Sequence, residues 1–136
     1  MIEIEFRGTI KNQTELFSGF WYGDLIHYAN GDVAIRQIET GQEFEVYPET
    51  VGQFTGLLDK NGKKIFEGDV LKWRCSKSGS NKDKNYTVTI EFKEKAHSYS
   101  LTIYDNGEKW ATQNSYWNQS EREIIGNITE NPELLK

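Results

Sequence analysis

Apolar and polar residues alternate at several places along the chain. Near the N-terminus, Ile2, Ile4 and Phe6 alternate with charged residues, and this two-residue period predicts a strand over 2–7 with one buried face. The pattern is clearest over 86–92, where aromatic and β-branched residues face inward and Thr and Glu face outward. Such alternation is typical of antiparallel sheets that bury one face.

Short turn motifs separate the apolar runs of the first half. Asn30-Gly31 lies between the runs 20–28 and 32–38, and this pair favours a type I′ hairpin because both residues tolerate positive φ angles. A second turn at Thr40-Gly41 leads into an alternating run over 43–47. The first part of the chain therefore predicts a β-meander.

The second half has a similar arrangement of runs and turns. A short helical turn is expected near the end, because Asn favours the capping position of a helix and Pro its first helical position. The predicted elements are a turn at 59–62 followed by core residues Ile65 and Phe66, strands within 71–75, 86–92, 99–103 and 123–129, a polar loop over 76–85, a hairpin turn at 105–107 leading towards Trp110, and a helical turn after Asn131-Pro132.

Two segments, 23–28 and 68–73, share a Gly-Asp-apolar-apolar-polar-aromatic pattern. We interpret them as two small β units, each entering a strand through a Gly-Asp turn that the Asp side chain braces, and a coincidence of sequence is the alternative. On this interpretation the chain is all-β, with subdomains at 1–56 and 57–136. Each subdomain is expected to be a small β-barrel-like or curled sheet, packed against the other, with a short C-terminal helical turn.

The composition favours a β protein with small cores. Val, Ile, Thr and the aromatic residues total 45 of the 136 residues, whereas Ala, Leu and Met total 13. The 18 aromatic residues must supply much of the buried surface. No apolar run approaches the roughly 20 residues that span a bilayer, and the N-terminus has no features of a secretion leader, so the cytoplasm is the expected compartment.

Charge is distributed unevenly along the chain. Residues 1–56 contain 3 basic and 9 acidic side chains, whereas residues 57–136 contain 13 and 12, within a net charge of −5. The basic loop 72–84 between two predicted strands is a candidate contact for a phosphate backbone. Nearby aromatic residues would then stack on the bases. The inward positions of Trp73 and Tyr86 and the negative net charge argue against this hypothesis. The candidate nucleic-acid contacts are Lys72, Arg74, Lys77, Lys82 and Lys84.

A second candidate surface lies in the last third of the chain. Trp110, Tyr116 and Trp117 are set among Thr, Asn and Gln residues, a mixture found at protein interfaces. We take these three aromatic residues as a candidate partner surface, and the alternative is that they cover the core. Small cores cannot bury all of the many large side chains, and the exposed ones favour self-association or binding to a protein partner.

Candidate catalytic groups are sparse. Neither His27 nor His97 has a catalytic or metal-binding motif around it, and Cys75 alternates with apolar residues, which favours a buried thiol over a nucleophile. Asp24 and Asp69 are better explained as turn residues. We therefore expect no catalytic site, no metal and no cofactor. An enzyme that uses Asp24, Asp69 or His27 is the least favoured hypothesis.

Several segments resemble the YopX family of phage and prophage proteins. The resemblance rests on 51–73, on 124–135, and on the opening segments around Phe6-Arg7 and 21–26. It implies a mostly β fold in two subdomains, self-association, and carriage on a mobile element in a bacterial host. The family has no established catalytic residues to carry over, and the region 76–120 matches none of its motifs.

The sequence therefore predicts a non-catalytic binding or assembly protein of phage or prophage origin. Its expected partner is a second copy of the chain or a host or phage protein, and no contact with a membrane is expected. The alternative is a nucleic-acid-binding protein that uses the basic loop 72–84.

Overall fold

The computed structural model describes the backbone of residues 3–74, 85–93, 98–105, 107–113 and 122–135, and their side chains except at 92–93, 98–100 and 110–113. Within these residues the regular structure consists of eleven β-strands and two short 3₁₀ turns. The strands form antiparallel sheets that curl without closing into barrels. The prediction of an all-β protein built from curled sheets is confirmed.

The N-terminal unit, Met1–Gly56, is a curled antiparallel sheet. Its strands are β1 (Phe6–Thr9), β2 (Phe20–His27), β3 (Val33–Arg36), β4 (Glu43–Val46) and, after a 3₁₀ turn at Pro48–Thr50, β5 (Gly52–Leu58). They lie in the order β4-β3-β2-β1-β5. A bridge between Ile10 and Val46 brings the continuation of β1 against β4, and the Lys11 N–H donates to the Glu45 carbonyl at 2.9 Å.

Local turn chemistry determines the two tight hairpins of this unit. Gly31 has a φ of +94° and donates its N–H to the Tyr28 carbonyl at 3.0 Å, and Gly41 has a φ of +73°. Glycine adopts such angles without the steric cost that a Cβ would bring. The predicted hairpins at Asn30-Gly31 and Thr40-Gly41 are confirmed, but the first is not the predicted type I′ turn, because the bond from the Gly31 N–H to the Tyr28 carbonyl places Ala29 and Asn30 at the centre of the turn.

The core of the N-terminal unit lies on one side of its sheet. Gly8 on β1 packs directly against this core, and a Cβ there would lie 2.9 Å from Val46 Cγ2. The position therefore requires glycine because β1 passes too close to β4 for a side chain. The buried centre is Val33, Ile35 and Val46, and the partly buried Phe6, Trp21, Leu25 and Val51 pack against it.

Strand β1 departs from the prediction at its start. The alternation predicts a strand over 2–7, but β1 begins at Phe6, where pairing with both β2 and β5 starts. Ile4, predicted to be buried, is 59% exposed. Arg7, predicted to face solvent, is 6% exposed, and its guanidinium carbon lies 4.3 Å from the centroid of the Phe20 ring. The pattern of one strand cannot show that an aromatic ring from its neighbour covers the arginine.

The first Gly-Asp segment does not form the predicted turn. Gly23 and Asp24 lie in the middle of β2, and Asp24 is exposed. A Cβ on Gly23 would overlap the carbonyl oxygen of Arg36 on β3. Glycine is needed here because a neighbouring backbone approaches closely, whereas the sequence pattern suggested a turn.

The C-terminal unit, Leu57–Lys136, starts with the last residues of β5. Its further strands are β6 (Lys64–Phe66), β7 (Asp69–Arg74), β8 (Asn85–Lys93), β9 (Ser98–Asp105), β10 (Glu108–Gln113) and β11 (Glu123–Asn127). β6 pairs with β5, and a five-stranded sheet has the order β10-β9-β8-β7-β11. The sequence predicts β7 to β11, but it places only a turn and core residues where β5 and β6 lie.

The second Gly-Asp segment forms its predicted turn. Gly68 has a φ of +92°, and Asp69 Oδ2 accepts a hydrogen bond from the Phe66 N–H at 2.7 Å. Asp69 is 2% exposed, so its carboxylate braces the turn from the interior. The shared sequence pattern marks a turn in one unit and a continuous strand in the other, so it is not a structural repeat.

The core of the C-terminal unit involves both sides of its five-stranded sheet. On β8, Tyr86, Val88 and Ile90 are buried, as the alternation predicts. Thr89, predicted to face outward, is 2% exposed, and its register partner Thr102 is 7% exposed. Both sides of the sheet are covered at this row, which the pattern of a single strand cannot show. The core cluster comprises Ile65, Leu71, Tyr86, Val88, Ile90, Leu101 and Ile103.

The end of the chain follows the prediction closely. The register of β11 against β7 shifts between Ile124 and Gly126, which marks a β-bulge within the predicted strand. A Cβ on Gly126 would lie 2.6 Å from Asn131 Oδ1, an atom that accepts a hydrogen bond from the Asn127 N–H at 3.3 Å. The predicted helical turn is a 3₁₀ helix at Pro132–Leu135.

Candidate interaction surfaces

One side of the N-terminal sheet faces away from its core and carries polar and aromatic side chains. Successive residues on a strand point to opposite sides, so the residues between the core positions of β2, β3 and β4 share this side. The register aligns Asp24, Arg36 and Glu43 in one row and Ile26, Ala34 and Glu45 in the next. We call the surface formed by these two rows, with the flanking Tyr22, Tyr28 and Asp32, the outer face.

A hydrogen-bonded group is fixed on the outer face. The Tyr28 hydroxyl donates to Glu43 Oε2, and Arg36 Nη2 donates to Glu43 Oε1 at 2.9 Å. The hydrogen bonds from Tyr28 and Arg36 lower the pKa of Glu43 below its ordinary 4.5, and the bond to the Glu43 carboxylate raises the pKa of Tyr28 above its ordinary 10.0. At neutral pH the group therefore holds a carboxylate, a neutral phenol and a guanidinium in defined positions.

An open groove of about 550 Å³ lies beside this group. Within it Ala34 is 2% exposed, whereas the Tyr28 side chain is 45% exposed. Glu45 pairs with Lys11 at 3.4 Å, and Asp32 Oδ2 accepts a hydrogen bond from Asn30 Nδ2 at 2.9 Å. The groove thus combines a small apolar residue, an exposed aromatic ring and carboxylates. The lining residues are Tyr28, Ala29, Asn30, Asp32, Ala34, Glu43 and Glu45.

The basic residues considered for nucleic-acid binding are described only in part. Lys72 and Arg74 are exposed on β7. Lys77, Lys82 and Lys84 lie outside the described residues. Nucleic-acid contact through this segment therefore stays a prediction.

The aromatic residues nearest this basic segment belong to the interior of the C-terminal unit. Tyr86 is 3% exposed, and its ring centroid lies 5.3 Å from that of Trp73. The Arg122 guanidinium carbon lies 5.0 Å from the centroid of the Trp73 ring. The predicted inward placement of Trp73 and Tyr86 is confirmed, and stacking on nucleotide bases would require this arrangement to open. The Tyr99 side chain lies outside the description.

The candidate partner surface in the last third of the chain also stays a prediction. The backbone of Trp110 lies in β10, but its side chain and the whole of Tyr116 and Trp117 are outside the described part of the chain. The register of β10 against β9 shifts between Lys109 and Ala111, so Trp110 occupies a β-bulge.

The residues of the enzyme hypothesis have local roles in the structure. His27 is exposed at the end of β2, in register with Val33 on β3. Asp24 belongs to the outer face, and the carboxylate of Asp69 binds a backbone N–H in the interior of the C-terminal unit. Cys75 and His97 lie outside the described residues.

Two further properties concern the described ranges alone. Among these residues, no three His, Cys, Asp or Glu side chains gather as ligands for a metal ion. No helix in the same ranges has the length and apolar character needed to cross a bilayer.

One buried carboxylate, Asp59, was not predicted from the sequence beyond its place in a turn. It is 5% exposed, and Oδ1 accepts hydrogen bonds from the Asn61 and Lys63 N–H groups, both at 2.9 Å, while Oδ2 accepts one from the Ile124 N–H at 3.1 Å. Burial raises the pKa of this carboxyl, but the three hydrogen bonds and the Lys63 charge outweigh burial and hold it below its ordinary 3.8. Asp59 therefore connects strand β11 with the turn that lies between β5 and β6.

Solved structures of two bacterial proteins are similar to this fold. The crystal structure of protein YopX from Bacillus subtilis has a TM-score of 0.59 and 17% sequence identity, with all of both chains covered. The crystal structure of protein EF1440 from Enterococcus faecalis has a TM-score of 0.56 and 19% identity, again over all of both chains. At these identities the likeness concerns the fold alone. A comparison with curated proteins finds no match.

A family model provides the evidence for family membership. The model described as YopX protein matches residues 5–136, which include all but the first four residues of the N-terminal unit, the whole C-terminal unit and the eleven strands of the described residues. The match also contains the segments 51–73 and 124–135, whose resemblance to this family was noted from the sequence. The chain therefore belongs to the YopX protein family.

Proposed function

We propose that this chain is a non-catalytic binding or assembly protein that acts through the outer face of its N-terminal unit. The observation that carries the proposal is the exposure of Tyr22 and Tyr28, 40% and 45%, on a sheet surface that also presents hydrogen-bonded charged groups. Tyrosine combines a large contact area with a polar tip, and it is enriched at protein interfaces. The outer face thus offers both apolar area and fixed polar partners.

The two buried acidic residues in the described part of the chain support a non-catalytic role. Asp59 and Asp69 use their carboxylates to bind backbone N–H groups. A carboxylate that supports the fold in this way is not available to a substrate. The proposal places the protein in the cytoplasm of a bacterial host, encoded by a phage or prophage, with a second copy or a host or phage protein as its partner.

Two measurements on the full chain test the proposal. Static light scattering over a range of concentrations measures the mass in solution, and affinity capture from an extract of the bacterial host identifies bound molecules. A mass above that of one chain, or the enrichment of one protein, is the expected result. A single-chain mass at every concentration with no enriched protein would contradict the proposal, and enrichment of nucleic acid alone would favour the basic segment instead.

A further inference from the structure

The surface of the N-terminal unit carries an excess of negative charge. Residues 1–56 contain 3 basic and 9 acidic side chains. Arg7 is 6% exposed, Lys11 pairs with Glu45 at 3.4 Å, and Arg36 pairs with Glu43 at 2.9 Å. The three cations are therefore buried or already engaged by carboxylates. An uneven charge of this size produces a field that attracts cationic molecules from solution.

The groove on the outer face is the surface at which a cationic molecule attracted by this charge would bind. Tyr28 provides an exposed aromatic ring, and the exposed Ala29 provides a small apolar surface. Asp32, Glu43 and Glu45 place carboxylates around them, and an incoming cation would share Glu43 with Arg36 and Glu45 with Lys11. A long cationic side chain matches this combination, because its methylene stem packs on apolar and aromatic surface while its charged end reaches a carboxylate.

We propose that the groove binds a Lys- or Arg-rich segment of a partner protein. The inference rests on the proposed function and adds the chemistry of the partner. The complementary charge favours a basic polypeptide over a nucleic acid, which the negative field of this unit would repel. A segment longer than one residue also matches the groove, because its lining residues come from the hairpin connection 28–32, from β3 and from β4.

The full chain can be titrated into a fluorescein-labelled peptide of about ten residues that alternates Lys and Ala, with fluorescence anisotropy as the readout. Binding is expected at low ionic strength and should weaken with added salt. The double variant Asp32→Asn/Glu45→Gln is expected to weaken binding by about tenfold, because it removes two carboxylates of the groove. Tyr28→Ala is expected to weaken it by about tenfold through the loss of the ring.

A matched control distinguishes binding in the groove from attraction by the net charge of the unit. The double variant Glu15→Gln/Glu49→Gln makes the same change of charge at exposed positions of the same unit that do not line the groove. It should change the affinity by less than about twofold. Equal weakening by both double variants, or no binding of the peptide at low ionic strength, would overturn the inference. Either result leaves the light-scattering and capture test of the proposed function intact, since that test uses no peptide.

Discussion

Replacing Asp59 is the most informative perturbation of the fold. Its carboxylate accepts hydrogen bonds from three backbone N–H groups, of Asn61, Lys63 and Ile124, and it is 5% exposed. Hydrogen bonds to charged groups contribute about 1.5–3 kcal/mol each when their loss leaves a partner unsatisfied. All three hydrogen bonds are partly buried, so water can replace the carboxylate only in part at each N–H group.

Asp59→Ala is therefore expected to lower the free energy of unfolding by about 2–4 kcal/mol. Asp59→Asn keeps one carbonyl oxygen for the two turn N–H groups but cannot also accept from Ile124, so a loss of about 1–2 kcal/mol is expected. Glu123→Gln is the control: it breaks the exposed ion pair with Lys60, which spans 3.3 Å, and should cost less than about 0.5 kcal/mol. Urea denaturation followed by tryptophan fluorescence measures all three variants.

The same residue predicts an acid dependence. The pKa of Asp59 is lowered in the folded chain, so its contribution is complete above pH about 4 and is lost as the pH falls through the folded value. The difference in stability between the natural chain and Asp59→Asn should therefore shrink in acid. This explanation of the turn would be refuted if Asp59→Ala were as stable as the natural chain. It would also be refuted if the difference in stability between the natural chain and Asp59→Asn stayed constant down to pH about 2.

Three further predictions concern single sites. Phe66→Ala should lower the free energy of unfolding by about 3–5 kcal/mol because Phe66 is 3% exposed, and unchanged thermal melting would show that it is not a core residue. Gly8→Ala should lower the free energy of unfolding by about 1–3 kcal/mol, because the new Cβ clashes with Val46. In chemical denaturation, the double variant Gly8→Ala/Val46→Ala should lose less free energy of unfolding than the sum of the two single variants. Glu43→Gln should lower the pKa of Tyr28 towards 10.0, measured by ultraviolet absorbance with Tyr28→Phe as the reference, and an unchanged titration would argue against their hydrogen bond.

The parts of the fold that sequence reasoning found are those with local causes. Gly31 and Gly41 adopt positive φ angles within tight turns, and the neighbouring runs alternate because each strand buries one side. The strand β8 follows the same logic at Tyr86 and Ile90. In each case a few adjacent residues contain all the necessary information.

The features that sequence reasoning missed depend on neighbours distant in the chain. Arg7 is buried because Phe20 covers it, and Gly23 is required because the Arg36 carbonyl approaches it. The contact from Asp59 to Ile124 joins residues 65 positions apart. The outer face was also missed, because it brings together residues of β2, β3 and β4 whose separate patterns indicate only solvent-exposed positions.

The proposal that the outer face is the contact surface is tested most directly by repeating the capture from host extract with surface variants. Tyr22→Ser/Tyr28→Ser removes both exposed rings of this face, and Leu16→Ser/Ile38→Ser removes two apolar side chains, 87% and 66% exposed, elsewhere in the same unit. The account predicts that the first double variant loses the captured protein while the second retains it. Equal capture by the natural chain and the Tyr22→Ser/Tyr28→Ser variant would contradict the account.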